Sequence, residues 1–216
     1  QLKFFNFKYY EFKEKKYFIA RSGWSKQGGF EVYVEDNLAG QDLYDYLFEY
    51  GKEFNVRPGC PNLIERIESA LLSYGNDFDN KDNPLEANFD KFVNLESDAI
   101  FLGKEKLKKI KQEGIKRKLV GIEILGDPIS KVVPPEYSPG YFVPDHWPVF
   151  DDKNEIGYVT SKCYSPRLEK NIGYAFIPIA YAKEGTQFTI KSPYANLEAK
   201  VVPMPFYDPK KQIPIK

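Results

Sequence analysis

The residues best suited to chemistry in this chain lie close together, in Ala20-Arg21-Ser22-Gly23-Trp24-Ser25-Lys26-Gln27-Gly28-Gly29-Phe30-Glu31-Val32-Tyr33, where a tryptophan, a carboxylate and a phenol surround a glycine-rich turn. A carboxylate accepts two neighbouring N–H donors with charge-assisted strength, and an aromatic face attracts both flat rings and methylated cations. Gly23, Gly28 and Gly29 permit the positive φ or close backbone approach that a ligand-facing turn demands. The alternation Phe30-Glu31-Val32-Tyr33-Val34 predicts a strand with Glu31 and Tyr33 on one face and Phe30, Val32 and Val34 on the other. With the apolar face turned to a core, the carboxylate and the phenol point together toward a cavity or solvent. The set reads as a binding site rather than as packing alone.

Such side chains need a frame. The stretch 4–18 is rich in aromatics broken by lysines, and with 17–21 and 30–34 it predicts antiparallel strands. Leu43, Leu47, Tyr50 and Phe54 recur at helical spacing, which predicts an amphipathic helix over 41–54. Pro61 can open a second helix that buries Leu63, Ile64, Ile67, Ala70 and Leu71, and a third over 104–112 ends before Gly114. Six of the sixteen prolines fall between Pro128 and Pro148. That density excludes helix, disfavours a central strand and predicts an extended segment. Beyond 118, the stretches 119–125, 156–161, 172–182, 188–191 and 197–202 alternate or run apolar between Gly, Pro, Asn and Asp, which predicts a compact all-β barrel. The expected fold class is α+β: an antiparallel sheet with helices on one face, then a C-terminal all-β barrel, with domains over 1–117 and 118–216.

Composition removes several function classes. Lys+Arg and Asp+Glu both number 31, so there is no basic surplus to bind nucleic acid. The apolar runs are too short to span a bilayer and no signal-peptide pattern opens the chain, so a cytoplasmic protein without a membrane partner is expected. Cys60 and Cys163 lie far apart, with His146 the single histidine. Neither a zinc site nor a disulfide framework is expected, and reduced thiols are the simpler reading. His146, beside Trp147 in the proline-rich segment, reads as structural.

The glycine-rich turn resembles the signature of the glycine-cleavage aminomethyltransferase (T-protein) family of folate-dependent enzymes, Arg-Thr-Gly-Tyr-Thr-Gly-Glu, one residue, Gly-Phe-Glu. Trp24-Ser25-Lys26-Gln27-Gly28-Gly29 is more similar to that family's dimethylsulfoniopropionate demethylase branch; the wider family usually has glycine where Lys26 stands and glutamate where Gln27 stands. Asn62-Leu63-Ile64-Glu65-Arg66-Ile67-Glu68-Ser69-Ala70-Leu71, followed by Tyr74-Gly75-Asn76-Asp77, resembles the family's helix and exit turn, although the arginine that usually precedes this helix is replaced near Asn62. Asn83-Pro84-Leu85-Glu86-Ala87, Phe101-Leu102-Gly103-Lys104-Glu105-Lys106-Leu107, Ile156-Gly157-Tyr158-Val159-Thr160-Ser161, Tyr164-Ser165-Pro166 and Val201-Val202-Pro203-Met204-Pro205-Phe206 continue the resemblance in the right order.

The resemblance implies a tetrahydrofolate-dependent methyltransferase that moves a methyl group from a sulfonium to N5 of the cofactor. In it Glu31 would accept the paired donors of the pterin edge, and Trp24 and Tyr33 would wall the folate and the onium substrate. Arg66 would meet a folate-tail carboxylate or brace Glu31; taken alone, between Glu65 and Glu68, it reads as a participant in a surface ion pair. Family members are considerably longer, and the segment with the acidic and aromatic residues of the reacting centre precedes the turn. The chain therefore reads as a C-terminal portion whose partner is the N-terminal segment of the same enzyme. No catalytic residue is assigned within it. Other folate-dependent one-carbon transferases and a non-catalytic folate-binding relative remain open as alternatives, as do monomer and homodimer.

Overall fold

The computed structural model of the chain describes residues 2–23, 28–59, 63–134 and 145–215. They gather into two compact units, 1–62 with 210–216, and 63–209.

In the first unit β1 (Phe7–Phe12), β2 (Lys15–Ala20) and β3 (Glu31–Tyr33) form an antiparallel sheet in that order. Lys13 and Glu14 both take positive φ, 51° and 61°, the backbone of a two-residue hairpin whose twist matches its strands. Helix α1 (Asn37–Tyr50) starts earlier than the spacing of its apolar residues predicts, because Asp36 caps it by accepting from the Ala39 amide at 2.7 Å. A carboxylate at that position satisfies an amide that the helix itself leaves unpaired. One sheet face meets this helix: Phe12 lies edge-on to Tyr46 at 5.4 Å, and Lys15 pairs with Asp42 at 2.9 Å. Tyr17, on the same face, is buried.

The second unit holds α2 (Leu63–Glu68), α3 (Lys104–Glu113) and a closed barrel. Its strands are β4 (Arg117–Ile124), β5 (Trp147–Asp151), β6 (Asn154–Ser165), β7 (Lys170–Pro178), β8 (Gln187–Lys191) and β9 (Asn196–Val202), in the order β4-β7-β6-β5-β8-β9. Val120, Ile122, Val149, Val159, Ala175 and Ile190 belong to its core. Helix α2 packs outside through Ile67, against Leu119, Ile172, Tyr174 and Phe176. Gly157 is required by the close approach of β6 to β7, since a Cβ there would fall 2.0 Å from the Phe176 carbonyl oxygen. The α+β architecture with a C-terminal barrel is the one the sequence predicts.

The proline-rich segment departs from expectation at both ends. A helical turn forms at Ile129–Val132, in the gap between Pro128 and Pro134 where no proline interrupts it and Pro128 stands outside its first position. Trp147–Asp151 is a full strand of the barrel despite Pro148. Pro148 pairs only with Tyr158 on β6, and the ladder to β8 begins at Val149. The missing N–H thus falls where no bond to β8 is required. The extended conformation expected for 135–144 lies outside the described residues.

Candidate functional site

Strand register decides which side chains share a face. Tyr9 pairs with Phe18 and Phe18 with Tyr33; Phe7 pairs with Ala20 and Ala20 with Glu31. Paired residues of an antiparallel sheet point the same way. Two cross-strand rows, Tyr9-Phe18-Tyr33 and Phe7-Ala20-Glu31, therefore lie side by side on the face opposite the one that meets α1. Glu31 and Tyr33 share that face as their alternation predicts.

The rings on it gather around Phe18. Phe7 is tilted at 4.8 Å, and Tyr9 and Tyr33 each stand at 73° to it, 5.4 Å away. Tyr9 and Tyr33 are 57% and 54% exposed, so the cluster is a surface. The Ser22 hydroxyl donates to the Glu31 carboxylate, and among the described residues no cation pairs with it. The burial expected for the apolar side of this strand does not occur. Phe30 precedes the strand and is 61% exposed, and Val32 is 38% exposed. Val32 is on the face that meets α1 but in the edge strand, while the contacts of α1 fall on Phe12 and Lys15 of β1 and β2. Trp24 and Lys26 lie outside the described residues, as does Cys60.

Arg66 is in a different setting from the surface pair that Glu65 and Glu68 suggest. It is 1% exposed, and its guanidinium donates to Asp77 at 2.5 Å, to the Leu71 carbonyl at 2.8 Å and to Ser161 Oγ at 2.8 Å. Asp77, also buried, accepts from the Ser73 amide at 2.8 Å, from Thr160 at 2.9 Å and from Ser161. Three sequence motifs meet here: the α2 arginine, the Tyr74-Gly75-Asn76-Asp77 turn and Thr160-Ser161 of β6. A guanidinium this deeply enclosed acts as a brace between α2 and the barrel, and its donors are not turned to solvent for a folate-tail carboxylate. Glu68 likewise accepts from Ser165 at 2.6 Å and pairs with Arg167 at 3.2 Å.

A polar cleft of about 260 Å³ opens beside this brace, bounded by Asn76, Asp79, Asp82, Arg117, His146 and Tyr158 among others. Arg117 pairs with Asp82 at 2.5 Å and with Glu86 at 3.1 Å. His146 stacks on Tyr158 at 5.0 Å, and its Nε2 meets the Asn76 carbonyl at 3.1 Å. Burial raises the Tyr158 phenol above its ordinary value, against the lowering pull of Arg117. Deeper in the barrel, Lys162 donates to the Asp145 carbonyl at 2.6 Å and lies 4.2 Å from the Trp147 ring centre. Burial pushes its pKa down to about 7 and pushes the Cys163 thiol, which is free, up to about 12. Among the described residues no group of His, Cys, Asp or Glu could hold a metal ion, and no helix is long and apolar enough to cross a membrane.

Sequence reasoning missed Phe7, Tyr9 and Phe18 as companions of Glu31. The signal was present: alternate residues of two strands joined by a two-residue hairpin must share the face of Glu31 once Phe18 is set opposite Tyr33. It missed the Asp77 hub because nothing local to Arg66 marks a partner that lies beyond the helix.

The chain matches two family models, the GCVT N-terminal domain over residues 1–97 and the glycine cleavage T-protein C-terminal barrel domain over 117–208. It is 37% identical to the dimethylsulfoniopropionate demethylase of Ruegeria pomeroyi, over 89% of this chain and 49% of that protein. It is 36% identical to an aminomethyltransferase of Oceanobacillus iheyensis, over 96% of this chain and 53% of that protein. A solved structure of glycine cleavage system aminomethyltransferase T from Bartonella henselae shares the fold, with a TM-score of 0.69 at 24% identity, over 88% of this chain and 49% of that one. The chain spans about half the length of these relatives.

Proposed function

The chain belongs to the glycine cleavage T-protein family, and from that premise we propose that the protein is a tetrahydrofolate-dependent methyltransferase taking its methyl group from dimethylsulfoniopropionate. The family works with tetrahydrofolate. The observation that carries the proposal is Glu31, a carboxylate without a cationic partner among the described residues, set on an open face beside aromatic rings. A carboxylate so placed fits the adjacent N–H donors of a pterin edge, and the neighbouring rings fit a flat ligand or an onium group.

Glu31 and the rings beside it would hold tetrahydrofolate, which when bound would supply N5 as the methyl acceptor, with the donor leaving as a thioether and the N5 proton released. The protein's part is to orient and to exclude water, because a sulfonium is already an activated leaving group. Glu31 holds the pterin edge, and Tyr33 and Trp24 wall the ligands. The remaining walls are assigned to the N-terminal segment of the same enzyme, and the chain divides into a folate-binding portion over 1–117 and a barrel over 118–216. A cytoplasmic location belongs to the same reading.

A second reading has a specific observation behind it. Identity to aminomethyltransferases, at 35–37%, matches the 37% to the demethylase, which supports another folate-dependent one-carbon transfer on the same site. Full-length protein supplied with tetrahydrofolate and dimethylsulfoniopropionate should form 5-methyltetrahydrofolate. Product from the aminomethyl carrier of glycine cleavage or from a methylated amine, and none from the sulfonium, would transfer the assignment to the second reading.

A further inference from the structure

The ring cluster on the sheet is shaped for one part of the reaction. An extended flat ring gains most from a flat wall, whereas the Tyr9 and Tyr33 rings each stand at 73° to that of Phe18, with Phe7 tilted at 32° beside it. Rings inclined to one another form a cup, and a cup of π-faces complements a compact methylated cation. Charge points the same way. Glu31, in the adjacent row of the same face, has Ser22 as its hydrogen-bond donor and no cation paired with it among the described residues, while the one other carboxylate on the face, Glu11, lies 3.8 Å from Lys16.

We propose that Tyr9, Phe18 and Tyr33 form the seat of the onium head of the methyl donor, with Phe18 as its floor. The inference rests on the methyl-transfer reading above and adds Tyr9 and Phe18 to the residues that determine the substrate. Adjacent rows of one sheet face lie roughly 7 Å apart. The cup and the Glu31 row assigned to the pterin edge are thus neighbours, and in that row Ala20 stands between Phe7 and Glu31.

Calorimetric titration of the full-length protein with dimethylsulfoniopropionate, with 4-methylpentanoate, an isostere that keeps the carboxylate and lacks the onium charge, and with tetrahydrofolate tests this. The Phe18→Leu variant should lose about tenfold or more in affinity for the sulfonium while tetrahydrofolate binding stays within about twofold. Tyr9→Phe, which keeps the ring, should bind the sulfonium as the wild type does, and Tyr9→Leu should not. The wild type should prefer the sulfonium to 4-methylpentanoate, and Phe18→Leu should erase much of that preference. A wild type that binds the sulfonium and a folded Phe18→Leu variant that binds it equally well would overturn the cup alone. Loss of tetrahydrofolate with unchanged sulfonium binding would also overturn it, by giving the rings to the pterin. A wild type that binds tetrahydrofolate and no sulfonium would overturn the methyl-donor reading and the cup with it.

Discussion

Glu31 and Asp77 are both carboxylates inside signature motifs, and their surroundings set them opposite tasks. Asp77 is 1% exposed and gathers Arg66, Ser73, Thr160 and Ser161. Glu31 lies on an exposed strand and takes one hydroxyl from Ser22. A buried carboxylate with every acceptor position filled has no capacity left for a ligand, and its removal strands a guanidinium in a dry interior. An exposed carboxylate beside open rings contributes little to folding and keeps its acceptor positions for whatever arrives. The motifs of this chain therefore divide into those that hold the barrel to α2 and those that stand on an open face, and burial rather than motif membership separates them.

The contrast breaks most visibly at the brace. Asp77→Ala should destabilise the protein by about 3–5 kcal/mol, read by urea denaturation, because Arg66 keeps its charge and loses its carboxylate. A loss below about 1 kcal/mol would place Asp77 with the exposed carboxylates. Replacing both partners by leucine should cost less than the single change.

Lys162 gives a smaller effect with a pH signature. Its folded pKa is lowered to about 7 from 10.5 by burial, so between those values the unfolded chain holds a proton that the folded one does not. Its contribution to stability therefore rises as pH goes up from 7, by at most about 1.4 kcal/mol per pH unit, and is at its lowest below pH 7. Denaturation between pH 7 and 9 should show this slope in the wild type and a flatter one in Lys162→Met. Parallel curves would remove Lys162 from the account.

Much of the frame was legible because its signals are local. Helix α3 runs from Lys104 to Glu113 and stops at Gly114, whose φ of 82° suits glycine, and each barrel strand beyond 118 except β5 sits on a stretch of apolar alternation. β5 was hidden because Pro148 masks a strand wherever its ladder partners are unknown. Within the site, Glu31 and Tyr33 could be placed on one face from alternation alone. Phe18 could not be joined to them without register, and Arg66 was misjudged because two neighbouring glutamates suggested a surface, whereas its partner arrives from the turn at Asp77 and from β6. Long-range partners of buried charges leave no mark on the residues next to them.

The division between the brace and the face proposed to bind folate meets its most direct test at Glu31. Tetrahydrofolate should be titrated into full-length wild type and Glu31→Ala, followed by tryptophan fluorescence, with denaturation measured on both. Glu31→Ala should lose about tenfold or more in affinity, as for a charge-assisted hydrogen bond, with stability changed by less than about 0.5 kcal/mol. Unchanged affinity, or a stability loss as large as that of Asp77→Ala, would contradict that division.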